Sequence, residues 1–281
     1  MSSQKILLIL ALVSGFHEVT ASEYFIHPNG GDIEHCTGLS QQPYSEGIED
    51  KACALKHLFE LLGPEHETIN INGGDIITIL NNDDGSQAEY RMGYHDDYTA
   101  NKCHLGWAYS CNLPSIPAGT AENPTIIRGE DWESGCETPP QLWGSNRASN
   151  IIRLIDTQNV ELSCLEITDH SSCIGVSGLP DESLICDRSE PYTKLFADVG
   201  IYMEGSSDIK LTDVTVKGLS RGIMAGRVSD VTLLRTHLYA NYGAGWDGDI
   251  YGNDDSVSGD IKFIDSSITF SGCALIYNPG E

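Results

Sequence analysis

The chain is poor in positive charge, in phenylalanine and in closely paired cysteines. Lysine and arginine number 16 against 41 aspartates and glutamates, a net charge of −25 over 281 residues. Such a surface repels nucleic acid and anionic membranes, so no nucleic-acid partner is expected. It attracts cations, and calcium suits Asp-rich loops outside the cell; a solvated acidic surface serving solubility explains the same charge. Phenylalanine occurs 6 times and glycine 29 times, a balance that favours turns and short strands over helices. No C-x-x-C pair occurs, and Cys103-His104 beside Cys111 lacks the usual ligand spacing, which argues against structural zinc. Beyond residue 21 no apolar run approaches the roughly 20 residues of a membrane-spanning helix, so no span is expected in the mature chain.

What is present begins with an export signal. Lys5, the apolar run ILLILALVSGF at 6–16, and Val19 and Ala21 at the −3 and −1 positions read as a signal peptide over 1–21. The mature protein is expected to be secreted, extracellular or periplasmic. Nine cysteines lie beyond the signal, which in an exported chain points to disulfides. Chain order suggests Cys36 with Cys53, Cys103 with Cys111, Cys136 with Cys164 and Cys173 with Cys186, leaving Cys273. Residues 22–123 read as a separate N-terminal region. It has a strand at 24–27, a turn at Pro28-Asn29-Gly30-Gly31 and an amphipathic helix at 52–62, with Leu55, Leu58, Phe59 and Leu62 on one face. A buried strand follows at 75–80, then a disulfide-bonded, aromatic loop region. Another strand opens at 124–129, and residues 124–281 form the second region.

That region repeats. NVELSCLEI starts at Asn159, DIKLTDVTV at Asp208, DVTLLRTHL at Asp230 and DIKFIDSSI at Asp260. In register, the second position is Val160, Ile209, Val231 and Ile261. The fourth is Leu162, Leu211, Leu233 and Phe263, and the ninth is Ile167, Val216, Leu238 and Ile268. Every one of these is large and apolar. The step from Asp208 to Asp230 is 22 residues. The longer steps hold an insertion with Cys173 and Cys186, and the stretch DIYGNDDSVSG. Each unit also carries a glycine-led strand, at Gly200, Gly222, Gly245 and Gly272. One unit holds three short strands and three turns and cannot bury its apolar side alone; stacking like on like, about 4.8 Å apart, can. The expected fold is all-β, a right-handed parallel β-helix built as a single-stranded solenoid. A leucine-rich repeat lacks its L-x-x-L-x-L pattern here, and a β-sandwich would not repeat in register.

The chain resembles the secreted pectate-lyase-like right-handed β-helix family, and within it an uncharacterised bacterial subgroup. The likeness rests on YFIHPNGGD with the amphipathic segment after it, on SDIKLTDVTVKGLSRGI, and on GWDGDI followed by FSGC. It implies a helix-containing N-terminal cap that plugs the first rung, an extracellular polysaccharide as partner, and a monomer. It also implies further coils beyond Glu281, because LIYNPGE stops partway through one. For activity it is weak, since the scaffold hosts lyases, hydrolases, esterases, epimerases and adhesins. Of the polygalacturonase set Asn-Thr-Asp, Asp-Asp, Gly-His-Gly and Arg-Ile-Lys, only Asp254-Asp255 is here, and the Arg-rich pectate lyase signature is absent.

The densest chemistry lies in GAGWDGDIYGNDD, from Gly243 to Asp255. Gly243, Gly245 and Gly248 fit G-x-G-x-x-G, but no helix follows to meet a phosphate. Tyr251 and Ser258 stand where an EF-hand needs oxygen ligands. A looser calcium site from Asp247, Asp249, Asp254 and Asp255, with Asn253, remains open; so does an extended turn whose Asp and Asn side chains bond their own backbone. In strand period Trp246, Gly248 and Ile250 face inward, and Asp247 and Asp249 outward. Aligned on the leading glycines, Glu204 shares the column of Asp249, and Tyr202 and Met224 share that of Asp247. An acidic and aromatic strip is therefore expected on one outer face, where proteins of the resembling family bind sugar chains.

Hydrolysis on that strip would use Asp247 and Asp249 as its carboxylates. Elimination from a uronate would use calcium and a base, with Arg221 and Arg227 as candidates; surface pairing with neighbouring aspartates is the stronger reading of both. Glu204 and Tyr202 are candidate substrate contacts. Trp107, between Cys103 and Cys111, is either a stacking platform or part of a local mini-core. His95-Asp96-Asp97 and His170 read as loop and turn residues. The expected function is to act on or bind an extracellular polysaccharide, as a calcium-assisted lyase or a hydrolase. The alternative is a non-catalytic carbohydrate-binding or adhesin-type structural protein.

Overall fold

The computed structural model describes residues 21–63, 69–92, 97–100, 112–144, 148–169, 197–241, 243–248, 258–269 and 271. The apolar run of the expected signal, the Cys103–Cys111 and Cys173–Cys186 pairs, and the Gly272 strand lie outside these residues.

The first half supplies β1 (Glu23–Gly31), β2 (Ile76–Ile79), β3 (Glu89–Met92), β4 (Thr125–Gly129) and β5 (Gln141–Gly144). Next come β6 (Asn150–Ile155), β7 (Gln158–Asp169), β8 (Val199–Glu204), β9 (Ser207–Lys217) and β10 (Arg221–Gly226). The last are β11 (Ser229–Leu234), β12 (His237–Tyr239), β13 (Ala244–Asp247), β14 (Gly259–Ile264) and β15 (Ser267–Thr269). They stack in parallel on three faces. The first sheet runs β1-β2-β4-β7-β9-β11-β14 and the third β6-β8-β10-β13. The second runs β3-β5-β7-β9-β12-β15, sharing the long strands β7 and β9, which turn from one face to the next. This is the right-handed parallel β-helix that the repeats predict; the hand is the one parallel crossovers adopt.

The register is the one read from the sequence. Val160 pairs with Ile209, Ile209 with Val231 and Val231 with Ile261. Leu162, Leu211, Leu233 and Phe263 stack in the same way. Ile167, Val216, Leu238 and Ile268 form the third column. These side chains fill the interior; Leu162, Leu211, Leu233, Val216 and Leu238 are fully buried. In the last described coil Phe263 and Ile268 are 43% and 47% exposed.

The corners explain much of the aspartate. Asn159, Asp208, Asp230 and Asp260, the first residues of the four repeats, have φ of 52°, 54°, 54° and 48°. A second column, Cys164, Asp213, Arg235 and Asp265, has φ of 54°, 54°, 49° and 49° and marks the bend between the first and second sheets. Asn and Asp tolerate this left-handed region better than other residues with a Cβ. Cys164 at that bend is bonded to Cys136, and Arg235 donates to both carboxylate oxygens of Asp213 at 2.6 and 2.7 Å.

Glycine marks a different constraint. A Cβ on Gly200, Gly222 or Gly245 would lie 2.5 Å from Val216, 2.6 Å from the Gly245 carbonyl oxygen or 2.4 Å from Ile268. The leading glycines of the repeats therefore sit where the third sheet closes on the second, with no room for a side chain.

Two expectations for the N-terminal region need correction. Residues 52–62 form no α-helix. Two short 3-10 turns, Glu49–Lys51 and Leu58–Glu60, flank a bridge from Leu55 to Ile26 and Gly31. The apolar residues are buried as expected, with Leu55, Leu58 and Leu62 at 0% and Phe59 at 4% exposure. The disulfide Cys36–Cys53 pins the start of this segment, and Gly31 exchanges backbone hydrogen bonds with Ala54 and Lys56. Strand-like pairing thus overrides local helix propensity. Nor is Pro28-Gly31 a turn, since it completes β1. A Cβ on Gly30 would lie 2.4 Å from the Leu55 carbonyl carbon, so close chain packing explains the glycine. Apart from these turns, the described helix is the four-residue α1 (Asp97–Ala100).

Candidate functional site: the outer face of the third sheet

Beyond their first residues, strands β6, β8, β10 and β13 present successive side chains to opposite faces. Ile152, Ile201 and Ile223 point inward and are fully buried, and Met203 and Ala225 follow them two residues on. Trp246 continues the inward column, packs on the core and meets Phe263 edge to face at 5.5 Å. The residues between point outward. Arg153 pairs with Tyr202, Tyr202 with Met224 and Met224 with Asp247. Four consecutive rungs therefore carry one surface column, flanked by Glu204 on β8.

The polar groups of this column are already joined. The Tyr202 hydroxyl donates to Glu204 Oε2 at 2.9 Å, and Arg227 Nη2 donates to Glu204 Oε1 at 2.7 Å. Arg221 bridges two carboxylates: its Nε donates to Asp247 Oδ2 at 3.2 Å and its Nη1 to Asp198 Oδ1 at 3.3 Å. Burial, then the Glu204 hydrogen bond, push the Tyr202 phenol up to about 12 from 10.0, so it is a neutral donor at physiological pH. Arg227 has φ of 53° in a column with Gly205 (61°) and Asp156 (49°). A residue with a Cβ pays about 1 kcal/mol in that conformation, and from it the Arg227 side chain reaches Glu204.

Of the residues expected from sequence, Asp247, Arg221, Tyr202 and Glu204 come together on this face. Asp249, Asp254, Asp255 and Trp107 lie outside the described residues. The pairing of Arg221 and Arg227 with carboxylates is the reading the sequence favoured. Two members were missed, Arg153 and Asp198. Arg153 carried a signal: 150–159 leads into its repeat as 199–208 does, a constant offset of 199 − 150 = 49 residues. Asp198 carried a signal in the glycine register, which sets Val199 against Arg221 and Asp198 one residue before it.

A second polar cluster occupies the outer face of the second sheet. Glu166 Oε1 receives Gln141 Nε2 at 2.6 Å and lies 2.8 Å from Lys217 Nζ; Gln141 Oε1 accepts from Trp143 Nε1 at 2.7 Å. Among the described residues no group of three or more His, Cys, Asp or Glu is placed to hold a metal ion. No described helix is long and apolar enough to cross a membrane.

No family model and no curated protein matches the chain. Solved structures do. A rhamnogalacturonan lyase is similar over 92% of this chain and 59% of its own, at 11% identity and a TM-score of 0.50. The pectate lyase Pel9A is similar over 90% and 48%, at 11% identity and a TM-score of 0.45. An alginate lyase from Paenibacillus sp. str. FPU-7 is similar over 72% and 60%, at 14% identity and a TM-score of 0.41. The chain thus spans between 48% and 60% of the length of these three. At such identities the likeness is one of fold, the parallel β-helix.

Proposed function

We propose that this is a secreted protein that binds an extracellular polysaccharide along the outer face of its third sheet. The observation that carries the reading is the column Arg153–Tyr202–Met224–Asp247, with Glu204 and Arg227 beside it, on consecutive rungs of a flat surface. An aromatic ring and a thioether give apolar contact for sugar C–H faces. Fixed guanidinium, carboxylate and phenol groups give hydrogen bonds on both sides. Two intrachain disulfides fit an oxidising compartment. The lyases of similar fold support a polysaccharide as the ligand class.

Catalysis is the second reading, and the ion pairing weighs against it. Hydrolysis asks for two carboxyl groups roughly 5–9.5 Å apart across the glycosidic bond. Glu204 and Asp247, two rungs and two strand positions apart, are each engaged by an arginine, Glu204 by Arg227 and Asp247 by Arg221. Both oxygens of Glu204 accept from protein groups. For calcium-assisted elimination, the described residues offer Asp247 alone of the expected ligands, and its carboxylate accepts from Arg221. A single carboxylate already paired with a guanidinium does not fit an ion by itself. The test is to assay polysaccharide binding together with new reducing ends and unsaturated products. Binding that weakens in Asp247→Ala and Tyr202→Phe, without product, supports the reading. Product formation lost in Asp247→Ala would replace it with catalysis.

A further inference from the structure

We propose that the glycan taken by the third-sheet face is uncharged, a neutral polysaccharide rather than a polyuronate or a sulfated chain; this rests on the binding face assigned above. The face carries Arg153, Arg221 and Arg227, and against them Asp156, Asp198, Glu204 and Asp247. Among the described residues, cations therefore do not outnumber carboxylates there. Arg221 is shared between two carboxylates, and Arg227 lies 2.7 Å from a third. A polyanion would have to break these pairs to reach the guanidinium of Arg221 or Arg227, and it would leave a carboxylate facing each new anion. The remainder of the molecule adds to the penalty, because the chain as a whole carries −25.

A neutral sugar meets no such conflict. Its hydroxyls both donate and accept, so they can add to the lone pairs of Glu204 and Asp247 and to the N–H groups of Arg227 while the pairs stay formed. Tyr202 and Met224, half-buried between the charged groups, give the apolar floor that an uncharged ring needs. The φ of 53° at Arg227 is the corner conformation that Gly205 and Asp156 share on the neighbouring rungs, and from that corner its guanidinium reaches Glu204.

The experiment is affinity electrophoresis of the full chain in gels containing neutral glucans, galactans and arabinans, or polygalacturonate, alginate and a sulfated galactan. Each is run at low and high salt, with and without calcium. The expected result is retardation by a neutral polysaccharide that changes less than about two-fold with salt and is indifferent to calcium. Tyr202→Phe and Glu204→Gln should each weaken it about ten-fold, the loss of a hydrogen bond involving a charged group. Thr215→Ala, on the second sheet, should not, and circular dichroism of each variant checks the fold. Binding of the anionic polymers alone, salt-sensitive or calcium-dependent, and still weakened by those two substitutions, overturns the neutral-ligand inference and leaves the face intact. Binding that ignores both substitutions, or no binding to any polymer, removes the face and the inference with it.

Discussion

Leu233 and Leu234 are neighbours of the same type on one short strand, and the register assigns them opposite fates. Leu233 stands in the inward column with Leu211 and Phe263 and is fully buried. Leu234 pairs with Thr212 and Ile264 on the outer face and is partly exposed. Truncating a fully buried leucine to alanine removes its transfer energy and leaves a cavity, about 3 kcal/mol within the 2–5 kcal/mol range for such sites. The neighbouring coils are stacked rungs and cannot close that gap without losing register. On the outer face no cavity forms, and Leu234→Ala should cost about 1 kcal/mol or less. By urea unfolding, Leu233→Ala should therefore be the more costly by about 2 kcal/mol. By thermal melting its midpoint should fall by about 6–12 °C. Equal costs, or the reverse order, would mean that the strand is shifted by one residue, since such a slip exchanges every inner and outer side chain. The inward columns and the binding face would then both be wrong.

Other consequences can be measured on the same scale. At Asp230, φ 54°, replacement by Asn or Gly should leave the free energy of urea unfolding within a few tenths of a kcal/mol, whereas Val should cost about 1–2 kcal/mol. Gly222→Ala would place a Cβ 2.6 Å from the Gly245 carbonyl oxygen, while the space around Gly259 is open to 4 Å. The first should cost about 1–3 kcal/mol in unfolding experiments and the second almost nothing. Tyr202, raised to about 12, is favoured in its neutral form by the fold. Its contribution to stability is complete below about pH 10 and is lost as the pH rises through its folded value. The phenolate absorbance difference between wild type and Tyr202→Phe should have its midpoint near the higher value; a midpoint near 10 would show a solvated phenol.

The interior was legible because stacking imposes it: each inward position must be apolar in every coil, so twelve side chains announce three columns. The glycines and the aspartates that open the repeats were visible too, although only the fold shows that glycine is demanded by a close approach and aspartate by backbone conformation. The expected helix failed because its apolar spacing records burial, which the segment achieves, and not the backbone hydrogen bonds, which the Cys36–Cys53 link and Gly31 redirect. Tyr202, Met224 and Asp247 were placed in one column correctly because strand period and glycine register suffice for that. Asp198 was missed although the same glycine register sets it one rung below Arg221 and one residue before its partner Val199; it precedes the glycine-led strand and so lay outside the positions compared.

The first corner column has one more implication. Asp208, Asp230 and Asp260 are exposed and follow one another rung by rung, so the chain's regularity sets like charges about 4.8 Å apart. In water each neighbouring pair repels by about 0.9 kcal/mol, a burden that dissolved ions lift. A melting temperature that climbs with sodium chloride would show this column outweighing the surface ion pairs such as Arg235–Asp213 and Arg227–Glu204, which salt weakens.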